Sequence, residues 1–264
     1  SRMAKKMLIN VMHPEEARVA IVTDGHLTEL DIETAGKEQT RGNVYKGVVV
    51  RVEPGLQAAF VDIGMKKLGF LQIGEIHPDN WQWRDDIPEE QRNRRPRIQE
   101  ILRRGMELIV QIEKGERDNK GAALTTYISL AGRYIVLMPG REHIGVSRKI
   151  ESEEERTRLK TMVQDFAVPE GCGFIVRTAA EGKTKKEVSR DYAFLLRMWE
   201  DIRKRAIEEP APSLIHKEQD LALRTIRDYF TPDIKEISID HPEVFERAME
   251  YMKVISPRYQ KVVK

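Results

Sequence analysis

Gln57-Ala58-Ala59-Phe60-Val61-Asp62-Ile63-Gly64, followed closely by Leu68-Gly69-Phe70-Leu71, decides how this chain reads. Strand alternation puts Ala59, Val61 and Ile63 on one face, and Phe60 and Asp62 on the other. The first set makes a core face. The second turns a large apolar ring toward water beside a carboxylate. Phe70 follows ten residues later on the next strand, where Leu68 shares its parity and leaves its direction ambiguous. Two outward rings on neighbouring strands form a platform for single-stranded RNA, because bases stack on rings at about 1–3 kcal/mol each whatever their identity. The alternative, that both rings are core, stays open on pattern alone.

The neighbouring segments supply the rest of a small barrel. Tyr45 to Val52 is a strand ended by Pro54-Gly55, and Leu108 to Ile112 and Ala123 to Ile128 are two more. Short strands at close spacing suggest a closed sheet. Residues 76–105 interrupt them with a polar, arginine-rich stretch that reads as an inserted loop with a short helix. Lys114-Gly115-Glu116-Arg117-Asp118-Asn119-Lys120-Gly121 joins the last two strands and puts Lys120 at the rim. There an ammonium can hold a phosphate as a point charge, or simply be solvated.

Upstream, Arg18 to Thr23 and Leu27 to Ile32 flank Asp24-Gly25, a hairpin signal. Downstream of 151 the period becomes helical. Ser152 and Glu155 read as a capping box, and Val188, Tyr192, Leu195, Trp199 and Ile202 form an apolar stripe expected to pack on a sheet until Pro210-Ala211-Pro212. A helix with Leu223, Ile226 and Phe230 follows, then a strand at Ile234 to Ile239. A helix capped by Asp240, with Pro242 in its first turn and Glu243 completing the box, comes next, and Lys261 to Lys264 reads as a strand. Arg177-Thr178 closes a strand from Gly173, with Gly145-Val146-Ser147-Arg148-Lys149 upstream. A guanidinium fork beside a hydroxyl suits a terminal phosphate. On pattern alone a plain surface arginine fits as well.

Composition narrows the classes. The 264 residues are 40% apolar and 33% charged, as a globular protein of two or so domains should be. Lys+Arg number 45 against 43 Asp+Glu, so net charge does not announce nucleic acid and local clustering must. One cysteine, Cys172, excludes an intrachain disulfide and fits a reducing cytosol. No run of about 18 apolar residues spans a membrane. P-loop and dinucleotide signatures are absent, and His13, His26, His77, His143, His216 and His241 lack metal-ligand spacing. Asp24, Asp31 and Asp62 lie on or beside strands and would bind magnesium only if two converged, which spacing cannot demonstrate.

Several longer motifs resemble the ribonuclease E/G family: Met7-Leu8-Ile9-Asn10, Asn43-Val44-Tyr45-Lys46-Gly47, Gln57 to Gly64, Asn119 to Thr126, Gly145 to Glu151 and Ile175 to Ala179. The likeness runs in order from Met7 to Lys264. It implies an α+β fold in which an S1-type OB-fold β-barrel (39–126) and an α/β 5′-sensor subdomain (127–222) are inserted into a split RNase H-like subdomain (1–38 and 223–264). It further implies RNA contacts at Phe60, Phe70 and Lys120, and a 5′-monophosphate pocket at Gly132, Val136, Arg177 and Thr178, too small for a triphosphate. Where the E type carries an aromatic, this chain has Ile63.

By the same resemblance the parent is a cytoplasmic, magnesium-dependent endoribonuclease and a homo-oligomer. It acts on single-stranded RNA, preferably 5′-monophosphorylated. Its metal-binding aspartates and zinc-linking cysteines belong to later domains, so this chain is expected to bind RNA without cutting it. Two alternatives are a non-enzymatic OB-fold RNA-binding protein and a nuclease using the RNase H-like carboxylates.

Overall fold

The computed structural model describes residues 4–12, 16–34 and 40–264, with side chains except those of Glu16 and 29–34. His13, the Asp31 side chain and the expected boundary at 38 lie outside the described residues. In chain order the strands are β1 (Lys5–Asn10), β2 (Glu16–Thr23), β3 (His26–Thr34), β4 (Val44–Glu53), β5 (Ala58–Asp62), β6 (Gly69–Gln72), β7 (Glu107–Lys114), β8 (Ala123–Thr125), β9 (Leu130–Ala131), β10 (Ile135–Pro139), β11 (Ile144–Val146), β12 (Cys172–Val176), β13 (Ser213–His216) and β14 (Ile234–Ile239). The α-helices are α1 (Ile98–Ile101), α2 (Glu153–Val163), α3 (Lys185–Glu208), α4 (Leu221–Tyr229) and α5 (Pro242–Ile255). They fall into two compact units, 1–39 with 219–264, and 40–218.

In the first unit β1, β2 and β3 form an antiparallel meander and β14 adds parallel to β1, giving the order β14-β1-β2-β3. Asp24 and Gly25 both take positive φ, the conformation that a tight hairpin turn requires and that glycine adopts without steric cost. Met7, Ile9, Ile226, Phe230, Ile237, Ala248 and Met252 build the core with α4 and α5. Two expectations are corrected here. The cap of α5 is His241, whose ring accepts from Val244 N–H, because Asp240 is taken up by the Val11 amide at 2.7 Å. The C-terminal residues form a 3₁₀ turn, Pro257–Val262, after which Val263 bridges to Ile237 and Lys264 exchanges backbone bonds with Ile237 and Ile239.

The second unit holds a five-stranded barrel, β4-β5-β6-β8-β7, closed by β7 returning to β4, with β13 added beside the start of β4. A closed barrel of this size, with helices outside it, fits an OB-fold. Val49, Ala59, Val61, Leu71, Val110, Ile112 and Leu124 fill it. The expected strand Ala123 to Ile128 stops at Thr125, where the side chains of Thr125 and Thr126 turn to bond Glu75. The insertion contains the expected short helix, α1, and two 3₁₀ turns, Pro78–Asn80 and Glu89–Gln91.

Beside the barrel lies a second sheet, β11-β12-β10-β9, packed under α3. Val188, Tyr192, Leu195 and Ile202 are buried and Trp199 half-buried, so the stripe faces the sheet. Ser152 caps α2, but Glu155 does not reach back to complete a box. It pairs instead with Arg158 and accepts the Gly182 amide. The reciprocal box is at Thr184 and Glu187, where α3 starts.

Asp191 interrupts the α3 stripe with a carboxylate that is only 5% exposed. It accepts the backbone N–H groups of Arg133, Tyr134 and Ile135 at 3.0, 2.9 and 3.0 Å, and so bolts α3 to the β9–β10 turn. Burial pushes its pKa up, while the three amides and Arg133 favour the charged form. Removing the carboxylate strands buried amides at about 1–3 kcal/mol each. Asp191→Ala is therefore expected to cost on the order of 3 kcal/mol or more in urea unfolding; a loss below about 1 kcal/mol would show that the bolt is dispensable.

Glu100 is clamped by both terminal nitrogens of Arg94, at 2.9 and 2.8 Å, and accepts the Arg97 amide. The Arg94 bonds first, then the Arg97 amide, hold its pKa at about 2 instead of 4.5. A depressed carboxylate stabilises the fold fully above its unfolded pKa and loses that contribution as pH falls toward the folded one. The melting temperature should accordingly drop between pH 4.5 and about 2, and Glu100→Gln should shrink that drop. Superimposable acid profiles of the two proteins would contradict the clamp.

Candidate nucleic-acid interface

On β5 the side chains alternate as the pleat demands: Ala59, Val61 and Ile63 are buried while Phe60 and Asp62 are half-buried on the outer face. On β6, Gly69 and Leu71 point in and Phe70 points out. Phe60 and Phe70 stand directly opposite in the β5–β6 ladder, with ring centroids 5.7 Å apart and planes tilted by 57°. Burying a phenylalanine fully is worth about 1.5–3 kcal/mol, so leaving two rings partly in water forgoes up to about 1 kcal/mol each. Ile63, on the opposite face, belongs to the core.

Cations flank the rings. Arg51 lies opposite Phe60 across β4–β5, and its guanidinium sits 4.5 Å from the ring centroid. It also pairs with Glu53 at 2.6 Å. The sequence does not single out Arg51, because a register shift between Val49 and Arg51 decides which residue meets Phe60. Lys120 is exposed at the end of a turn closed by Arg117 and Lys120 backbone bonds, and among the described residues its ammonium has no ion-pair partner. The Phe70 amide donates to the Ala122 carbonyl at 2.8 Å and Lys67 donates to the Asp118 carbonyl at 3.1 Å. These bonds seat the Lys120 turn against β6 and the β5–β6 loop. Asp62 spends one oxygen on the Gly64 amide, and Asp24 one on the Ala4 amide. Among the described residues no group of three or more His, Cys, Asp or Glu is placed to hold a metal ion.

Gly132, Val136, Arg177 and Thr178 gather at one end of the β9–β10–β12 sheet. Arg177 follows β12 directly. Its amide donates to the Tyr134 carbonyl and its guanidinium to the Gly132 carbonyl, both at 2.6 Å. Val136 pairs with Ile175, and both point away from the core face of Leu137 and Phe174, the side on which the pleat also carries Arg177. Thr178 is exposed and opens a 3₁₀ turn. Only glycine fits at 132, because a Cβ there would lie 2.4 Å from an Asp191 oxygen. Asp191 thus shapes the turn that carries Gly132. The signal that could have found it was an acid placed between Val188 and Tyr192 on a buried helix face.

The Gly145–Lys149 segment joins the same end. β11 runs parallel to β12, and the Ser147 amide donates to the Val176 carbonyl at 2.8 Å. Arg148 and Lys149 are exposed there. The arrangement offers a hydroxyl, an anchored guanidinium and two further cations within one corner of the sheet.

No helix among the described residues is long and apolar enough to cross a membrane. Residues 38–126 match the S1 RNA binding domain, and residues 129–264 match the Ribonuclease E/G family. The chain is 48% identical to ribonuclease E of Haemophilus influenzae over 98% of its own length and 27% of that relative. It is 47% identical to ribonuclease E of Escherichia coli over 95% of its length, 23% of the relative. With Escherichia coli ribonuclease G the identity is 41% over 97% of this chain and 51% of that protein. The chain therefore spans between about a quarter and about half the length of these relatives and, with more than half of it covered by the family match, belongs to the ribonuclease E/G family.

Proposed function

We propose that this chain is the RNA-binding and 5′-monophosphate-sensing portion of a single-strand-specific endoribonuclease of RNA processing and decay. The observation that carries the reading is the Phe60–Phe70 pair, two partly buried rings held outward by barrel register with Arg51 and Lys120 alongside. Unpaired bases stack on such rings without regard to sequence, and the cations take the phosphates between them.

In this reading 39–126 is the S1 barrel and 127–222 the 5′ sensor. The terminal segments, 1–38 and 223–264, form an RNase H-like subdomain. A three-strand meander with a parallel fourth strand beside β1 and two helices supports the last assignment. The corner of Gly132, Val136, Arg177 and Thr178 receives the terminal phosphate. Arg177 is oriented for this by its bond to Gly132, and charge-assisted N–H bonds to a phosphate are about twice as strong as neutral ones. Cleavage belongs to the whole protein. Magnesium, and any zinc, are proposed for the whole protein.

Two measurements test this. Phe60→Ala and Phe70→Ala should each weaken single-stranded RNA binding by about 1–3 kcal/mol in a fluorescence titration. Unchanged affinity in folded variants would remove the platform. Separately, an oligonucleotide with a 5′-monophosphate should bind more tightly than the same oligonucleotide with a 5′-hydroxyl, and Arg177→Gln should abolish the difference. Equal binding of both oligonucleotides by the wild-type protein would remove the sensor.

A further inference from the structure

Residues 91–106 carry six arginines against one acid, Glu100. Three of them are occupied within the fold. Arg94 clamps Glu100, Arg92 donates to the Ile87 carbonyl at 2.8 Å, and Arg103 donates to Gln82 at 3.3 Å. The other three, Arg95, Arg97 and Arg104, are exposed, and their guanidinium groups make no hydrogen bond or ion pair among the described residues. They lie just before and just after the single turn of α1.

The fold ties this ridge to the strands that carry the rings. The Gln57 side chain accepts the Ile98 amide at 2.9 Å and donates to Gln99, which fastens α1 to the β4–β5 turn three residues before Phe60. The Gly105 amide donates to the Val49 carbonyl, and the Val49 amide to the Met106 carbonyl, each at 2.8 Å. This pins the turn after Arg104 to β4, two residues before Arg51. Arg95 and Arg97 therefore lie by the start of β5, Arg104 lies by β4 at Val49, and the Lys120 turn sits at the β5–β6 loop. The first half of the insertion is acidic, with Asp79, Asp85, Asp86, Glu89 and Glu90, so a polyanion is steered to the arginine half.

We propose that Arg95, Arg97 and Arg104 form a second RNA subsite, binding the phosphates of a single strand whose bases stack on Phe60 and Phe70. The proposal rests on the platform reading above. It predicts that a strand laid from Lys120 across the rings continues past the β4–β5 turn onto the ridge. Short oligonucleotides fill the platform alone and longer ones reach both.

The test compares wild type, the triple variant Arg95→Gln/Arg97→Gln/Arg104→Gln, and Phe60→Ala/Phe70→Ala. Each is titrated with single-stranded RNA of about four and about twelve nucleotides across a salt series, lengths that bracket the usual OB-fold site. The triple variant should match wild type on the short RNA and lose most of the gain on the long one. Its slope of log K against log salt for the long RNA should shrink by about 2, from three phosphates at about 0.7 each. Wild-type affinity and slope in the triple variant would overturn the subsite while leaving the platform standing if the aromatic variant is weakened. An aromatic variant that binds like wild type would overturn both. Polyglutamate competing for the ridge as well as RNA of equal charge would also overturn it, because the site would then suit any acidic chain. Melting curves serve as the folding control, and the three side chains are exposed and uncommitted enough that they should stay unchanged.

Discussion

Along β4 the backbone serves three partners. One edge pairs with β7 from Val44 to Val48, and the other pairs with β13 at Val44–Lys46 and then with β5 from Val48 to Glu53. A buried backbone amide or carbonyl left without a partner costs as much as a lost hydrogen bond, so this ladder cannot slip cheaply. Its register sets the β5 register, and that in turn sets the face on which Phe60 lies. A one-residue slip would exchange Phe60 and Asp62 for Ala59 and Val61 and bury the outer ring. β13 comes from the far end of α3, so the same strand also joins the barrel to the β11-β12-β10-β9 sheet within one compact unit.

The outer face is the expensive part of the barrel. Two rings are only partly buried, a guanidinium lies over one of them, and among the described residues a rim lysine has no ion-pair partner. The core beneath pays no such cost: Ala59, Val61, Leu71 and Leu124 are fully enclosed. A surface that forgoes burial and concentrates cations is poorly explained by stability and well explained by a ligand with flat faces and negative linkers.

The corner of Gly132 and Arg177 uses a different device. Asp191, brought in by α3, gathers three consecutive amides and leaves room only for glycine at 132. The Gly132 carbonyl then holds the Arg177 guanidinium, so the arginine is oriented by the fold itself. Ordering a long side chain in advance reduces the entropy lost on binding. Rigidity therefore comes from a buried anion on a helix, one layer behind the residues that face solvent.

Much of this was legible in the chain itself. Alternation on β5 named the core face and the outward ring, the Asp24-Gly25 pair marked its hairpin, and the stripe from Val188 to Ile202 announced a helix lying on a sheet. These are local periodicities, and local sterics enforce them. The same sequence misled wherever a side chain had a distant competitor. Asp240 was drawn from its cap by Val11, Glu155 from its box by Arg158 and Gly182, and Thr125 and Thr126 from their strand by Glu75. Only the tertiary structure decided that Arg51 meets Phe60, that Asp191 supports Gly132, and that the arginines around α1 share an end of the barrel with the rings. Each depends on strand register or long-range hydrogen bonding, which pairs residues tens of positions apart and leaves no periodic trace in the chain.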